Sequence, residues 1–255
     1  MKYVVNGGAD DQHKFSYDVN SPNGPDHWGK IRSEWSLCNT GDMQSPIDLN
    51  DERVQRTSKL GRLDTHYKPA NATLINRGYD MTLTWIGGAG HIHINGTKYQ
   101  LNQAHWHTPT EHSINGQRFN LELHLVHQST NDKFAVVGVL YKLGHNDSFI
   151  AKIEPYLQAL ASTKGVNKSV GIIDPRVIKI GNSTEYYRYM GSLTTPACDE
   201  GVIWTIVRKV RTVSQEQVRI IREALDDEAN GNARPIQPLN NRWVKLYIPH
   251  DHKTN

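Results

Sequence analysis

Residues 119–128 read FNLELHLVHQ, a run in which leucines alternate with other side chains. Period-two alternation marks a strand, because successive side chains leave opposite faces. Leu121, Leu123 and Leu125 take one face; Glu122, His124 and Val126 take the other. The leucine face must be buried, so the glutamate and histidine front something else. Upstream, TKYQLNQAHWHTP (97–109) puts Gln103, His105 and His107 on one face by the same rule. Side chains at i and i+2 stand roughly 6.6 Å apart along a strand, at about 3.3 Å per residue, so two such imidazoles can meet on one ion. If the two strands are neighbours, His124 supplies a third nitrogen. Three neutral nitrogens leave one tetrahedral position open, the pattern of a catalytic zinc ion and not of a structural one. Gln103 and Glu122, each two residues from a histidine on its own face, offer the oxygens to which metal-bound imidazoles give their other N–H. From spacing alone, a solvated sheet face carrying the same groups stays equally open.

The chain contains its own control. GHIHIN repeats the His-x-His spacing at His91 and His93, but among glycines and a tight turn, with no Gln or Glu two residues away. That pair reads as exposed on a hairpin. His112 and His127 have the wrong strand parity to join the candidate site and read as structural.

Further strand-like runs lie between residues 70 and 142: ATLINR, MTLTWIG, HIHING and FAVVGVLYKL, with Asn95-Gly96 as a hairpin turn. RKVRTV (208–213) also alternates as a strand does. Two stretches have helical period. DSFIAKIEPYLQALAS carries Ile150, Ile153, Leu157 and Leu160, with Pro155 expected to kink or split it. SQEQVRIIREALDDEANG opens on a capping box, Ser214 and Gln217, and is expected to close at Gly231. The first 40 residues, rich in Gly, Pro, Asn and Asp, read as an irregular arm, flexible over 1–14. Nothing resembling a linker divides the chain, so residues 1–255 are read as a single domain, mainly β.

At 255 residues the chain can bury its own core without a disulfide framework. A net charge of +3, with scattered Lys and Arg, argues against nucleic acid as a partner. No apolar run reaches the 18 residues of a membrane span. The opening MKYVVNGGADDQHKF is too short in apolar residues for a signal peptide. Cys38 and Cys198 form no metal-type pair and read as two buried thiols or one disulfide. Five Asn-x-Ser/Thr sequons, at Asn71, Asn95, Asn146, Asn167 and Asn182, lean toward a secreted glycoprotein whose signal has been replaced by a start methionine.

Five segments in order, QSPIDL (44–49), QAHWHTPTEH (103–112), LELHLVH (121–127), GSLTTPACDEGVIWT (191–205) and NARPIQPLNNR (232–242), resemble the α-class carbonic anhydrases across nearly the whole chain. NGPDHWG, HTPTEH and YYRYMGSLTTP look most like the plant branch, which includes secreted, apoplastic and plastid enzymes, nectar proteins and the yam dioscorins. The resemblance implies a large twisted, mostly antiparallel central sheet with peripheral short helices and a conical zinc cleft, an α+β fold dominated by β. It implies Zn2+ on His105, His107 and His124, with Gln103 and Glu122 behind them. It implies zinc-hydroxide attack on CO2, with Thr194 accepting a hydrogen bond from the hydroxide and passing its own proton to Glu111. Val126, Val136, Leu193, Thr195, Val202 and Trp204 would line the CO2 pocket. Tyr189 and Arg234 would brace the site, and Cys38–Cys198 would be the disulfide of secreted members. CO2 and bicarbonate, sulfonamides and anions are the implied partners, in a monomer or homodimer. Location would be the secretory pathway or apoplast, or the plastid. Two departures stand out. Tyr79 occupies the place where fast members carry a proton-shuttling histidine, and Ala197 replaces a usual second proline. A dioscorin-like storage or defence protein keeping the fold with weak activity is the alternative.

Overall fold

The computed structural model describes residues 15–180, 185–226 and 231–249; the 1–14 arm and the Asn182 sequon lie outside them. Strands in chain order are β1 Asp48–Leu49, β2 Gln55–Thr57, β3 Asp64–Tyr67, β4 Ala70–Asn76, β5 Met81–Ile86, β6 Gly90–Ile94 and β7 Thr97–His107. They continue as β8 Ser113–Ile114, β9 Leu121–Gln128, β10 Phe134–Leu143, β11 Asn167–Ile173, β12 Tyr186–Ser192, β13 Glu200–Val213 and β14 Lys245–Tyr247. The α-helices are α1 Trp28–Ile31, α2 Leu37–Thr40, α3 Ser148–Leu160 and α4 Gln215–Glu223.

Twelve strands form one sheet, in the order β11-β4-β5-β7-β9-β10-β13-β12-β14-β2, with β3 joined through β6 to β7. Pairing is antiparallel except β10 with β13 and β14 with β2. The expected mostly antiparallel sheet is therefore present. The Asn95-Gly96 turn closes β6 onto β7 with both residues at positive φ, as a two-residue hairpin of matching twist requires. The first 40 residues are less irregular than their composition suggests: α1 and α2 alternate with two 3-10 turns.

Each face of the sheet has its own apolar core. Leu121, Leu123 and Leu125 pack with Phe149, Ile150, Ile153 and Leu157 of α3 and Ile220 and Ile221 of α4. On the opposite face Val126, Val136, Val202, Trp204 and Ile206 form a second cluster with Ile47 and Leu49. A strand buried on both sides is why every residue from Leu121 to His127 is buried.

Two helical expectations need correction. Helix α3 runs unbroken through Pro155. Pro155 is exposed, and so is Ala151, whose carbonyl loses its i+4 donor; water can satisfy that carbonyl, which lets the helix tolerate the proline. Helix α4 opens on the expected Ser214–Gln217 capping box but ends at Glu223, well before Gly231. The chain leaves the helix there because the Asp226 amide donates to the Gly78 carbonyl at 2.7 Å. Gly231 serves a close approach instead: a Cβ there would lie 2.0 Å from the Thr108 carbonyl oxygen.

His127 is structural, as its parity suggests. Its ring hydrogen-bonds the Tyr67 hydroxyl at 2.7 Å and the Ala135 carbonyl at 3.1 Å. Burial pushes its pKa from 6.5 down to about 4. The unfolded chain takes up this proton near 6.5, whereas the folded one resists it until about 4. Stability should therefore fall as pH drops through that window, by up to about 3 kcal/mol from this group. Urea unfolding of His127→Gln between pH 7 and 4 should show a shallower decline than the parent; an equal decline would remove His127 as a cause.

Candidate metal centre

Strand β7 carries one extra residue against β9. Leu101 pairs with His127, and Gln103 with Val126, leaving Asn102 as a bulge. Beyond it His105 stands directly opposite His124, and His107 opposite Glu122. The three imidazoles converge, with ring centroids 4.6–5.1 Å apart and one nitrogen from each within 4.8 Å of the others.

The groups behind each ring fix its tautomer. His105 gives its Nδ1 proton to Gln103 Oε1 at 2.9 Å. His107 gives its Nδ1 proton to the Asn232 carbonyl at 2.7 Å. His124 gives its Nε2 proton to Glu122 Oε1 at 2.8 Å. The inward-facing atoms His105 Nε2, His107 Nε2 and His124 Nδ1 are thereby left as lone pairs. His105 Nε2 and His124 Nδ1 lie 3.3 Å apart, matching the edge of about 3.3 Å in a tetrahedron with zinc–nitrogen bonds of about 2.0–2.1 Å. His107 Nε2 is buried without a partner, and so is Glu111 Oε2, 3.5 Å away. Two facing acceptors with no proton between them are costly, and a cation among the nitrogens removes that cost. The donor set fits a divalent transition ion.

Charge in the region is held in place. Burial, then His107 and His124, keep the His105 imidazole well below the usual histidine range. Burial lowers His124 as well, against the pull of Glu122. Burial pushes the Glu122 carboxyl up, but His112 and His124 together outweigh it and hold it well below the usual carboxylate range. Glu122 also accepts from His112 Nδ1 at 2.7 Å and from the His112 amide at 2.9 Å. His112 Nε2 meets the Tyr189 hydroxyl at 2.7 Å, and that hydroxyl lies 2.9 Å from Ser45 Oγ. The cluster of His112, Glu122 and His124 is thus already satisfied internally.

Glu111 Oε1 accepts from the Arg234 amide at 3.0 Å. The Arg234 guanidinium donates to Gln44 Oε1, the Ser45 carbonyl and the Cys38 carbonyl at 2.7–2.8 Å; burial pushes its pKa down to about 10. Cys38 and Cys198 form a disulfide that ties α2 to the loop between β12 and β13. Thr194, buried, and Thr195, half-buried, lie in that loop. Among the described residues no hydrogen bond joins Thr194 to Glu111. Val126, Val136, Val202 and Trp204 form one apolar patch with Leu193 against it, and the Trp204 ring lies 4.8 Å from that of His124. Tyr79 is half-buried against the Phe15 ring at 5.4 Å, with the Arg77 guanidinium over its face at 4.7 Å.

Asn232 was not legible as a site residue. Its side chain donates to the Tyr79 and Trp106 carbonyls, both at 2.9 Å, and accepts from the Thr108 amide at 2.8 Å. No local spacing connects residue 232 with 107. Asn232→Ala should strand the buried Thr108 amide and Trp106 carbonyl and cost about 2–4 kcal/mol. A loss of unfolding free energy in urea below about 1 kcal/mol, at unchanged m-value, would deny Asn232 this clamping part.

The family model for eukaryotic-type carbonic anhydrases matches residues 23–248. Alpha carbonic anhydrase 7 of Arabidopsis thaliana is 54% identical, covering 95% of this chain and 88% of its own. A crystal structure of dioscorin complexed with ascorbate superposes with a TM-score of 0.88 at 41% identity, covering 93% of this chain and 99% of that one. The α-carbonic anhydrase from Thermovibrio ammonificans, in complex with sulfanilamide, gives 0.82 at 32% identity, covering 91% and 98%.

Proposed function

The chain belongs to the eukaryotic-type carbonic anhydrase family, and from that membership we propose that it hydrates CO2 reversibly with zinc held by His105, His107 and His124. The observation that carries the proposal is the convergence of three imidazole lone pairs, on the buried His107 and His124 and the half-buried His105, within 4.8 Å of one another. Zinc there would bring the pKa of a bound water to about 7 and so supply a nucleophile at neutral pH, the effect for which carbonic anhydrase is the reference case.

The chain's own groups then do the rest. Gln103, Glu122 and the Asn232 carbonyl hold the imidazoles in register. Glu111, anchored through Oε1 by the Arg234 amide, has Oε2 without a partner and would accept a hydrogen bond from the Thr194 hydroxyl, which would in turn accept one from the nucleophile and orient it. CO2 carries no charge, so the patch of Val126, Val136, Leu193, Val202 and Trp204, with Thr195 at its edge, suits it better than donors would. The departing proton meets Tyr79 where a histidine would serve. A phenol near pKa 10 is poorly matched to a group near 7, so proton release limits maximal turnover. The apolar patch and the metal also suit sulfonamide and anion inhibitors.

The disulfide and the exposed sequons at Asn71, Asn95, Asn146 and Asn167 support passage through an oxidising, secretory compartment. Likeness to dioscorin motivates a second reading, a storage or defence protein with weak activity. The intact donor set favours the enzyme.

CO2 hydration by stopped flow, with and without a chelator, separates the readings. Activity lost to chelation and restored by zinc is expected; no activity at one zinc per chain would leave the storage reading. At saturating CO2, added imidazole should raise turnover, and an unchanged rate would sink the proton-release claim. Gln103→Ala should weaken zinc binding about 10–100-fold.

A further inference from the structure

The control pair does not stand alone. Strand β3 places His66 directly opposite His91, and Asp64 opposite His93. All four side chains share the sheet face away from the buried Tyr67, Ile92 and Ile94. The His66 and His91 rings stack at 4.9 Å, and the His93 ring meets both edge-on at 5.3 and 4.7 Å. The approach is close because residue 90 is glycine: a Cβ there would lie 2.0 Å from the His66 carbonyl oxygen. One nitrogen from each of the three rings lies within 4.8 Å of the others. The pair expected to be merely exposed is therefore half-buried in a third-party cluster that β3 completes.

We propose that His66, His91 and His93 form a second metal site, at the sheet edge, for a divalent transition ion of zinc type, with Asp64 setting the rings. Asp64 Oδ1 accepts from His66 Nε2 at 2.8 Å and Oδ2 from His93 Nδ1 at 3.2 Å. The other nitrogens of these two rings, His66 Nδ1 and His93 Nε2, are thereby lone pairs, the carboxylate–histidine arrangement found behind metal ligands. Imidazole donors suit zinc, nickel and copper(II) in preference to magnesium or calcium. A tetrahedral edge of about 3.3 Å requires the nitrogens to close in from a spacing of up to 4.8 Å, and the His66 and His93 side chains, 52% and 37% exposed, are not locked in the core.

Lys98 pairs with His93 on β7, and Lys68 and Lys98 flank the pocket beside His66 and His91. Their charge could instead recruit an anion to protonated rings. One feature favours the metal: Asp64 places a carboxylate within the cluster, where an anion would be repelled.

The site shares no side chain with the centre of His105, His107 and His124, so the two can be counted separately. Zinc per chain would be measured on the full protein after equilibration at micromolar free zinc and gel filtration. The parent should carry one equivalent more than His91→Gln/His93→Gln, whatever the occupancy of the first centre, and both should hydrate CO2 at the same rate. His66→Gln, which removes an exposed ring and opens no core, should weaken the extra equivalent at least tenfold. Equal zinc in parent and double variant overturns the site. Equal zinc with inorganic phosphate bound by the parent alone replaces it with an anion site.

Discussion

The register of β7 on β9 is the constraint on which the rest depends. Without the bulge at Asn102, strict alternation opposite Val126, His124 and Glu122 would present Asn102, Ala104 and Trp106, and the histidines would point into the core of α3 and α4. With it, Tyr99, Leu101, Ala104 and Trp106 all reach that core, while His105 and His107 face His124. One inserted residue thus allows a fully buried strand to serve an apolar core and a polar site at once. Sequence shift of a single position anywhere between 103 and 107 would exchange the two faces.

Burying so many polar groups is tolerable only because nearly all are answered. Glu122 is held by His112 and His124, His112 by Tyr189, and Tyr189 by Ser45, whose amide in turn donates to Ser192 Oγ at 2.9 Å. Arg234 binds three oxygens from the N-terminal region, next to the Cys38–Cys198 link. The loop bearing Thr194 is therefore fixed from below by hydrogen bonds and from the side by a covalent tie. Seven buried side-chain polar atoms of the described residues lack a partner, and two of them, the acceptors His107 Nε2 and Glu111 Oε2, face each other at 3.5 Å and mark the point where something from outside the chain belongs.

Much of this was legible in the sequence because strand periodicity is local. The leucine face of FNLELHLVHQ, the shared face of Gln103, His105 and His107, and the two oxygens behind His105 and His124 all follow from i and i+2. What stayed hidden depends on pairing at a distance. Alternation would have put Tyr99 and Leu101 on the histidine face, and only the ladder reveals the bulge. The Asn232 carbonyl reaches His107 across 125 residues of chain. His66 lies on β3, a four-residue strand with too little alternation to read, so the control pair looked isolated. Gly231 resembled a helix stop because glycine is common there, when close packing on Thr108 was its reason. The Thr194–Glu111 and Tyr79 assignments came from the family pattern, which no spacing rule could have provided.

The convergence of three lone pairs is open to one direct test. Crystals grown with zinc, measured at the zinc absorption edge, should show an anomalous peak about 2.0–2.1 Å from His105 Nε2, His107 Nε2 and His124 Nδ1. A peak bonded through His124 Nε2, or no peak among these rings in a crystal containing zinc, would contradict the tautomers on which this account of the centre rests.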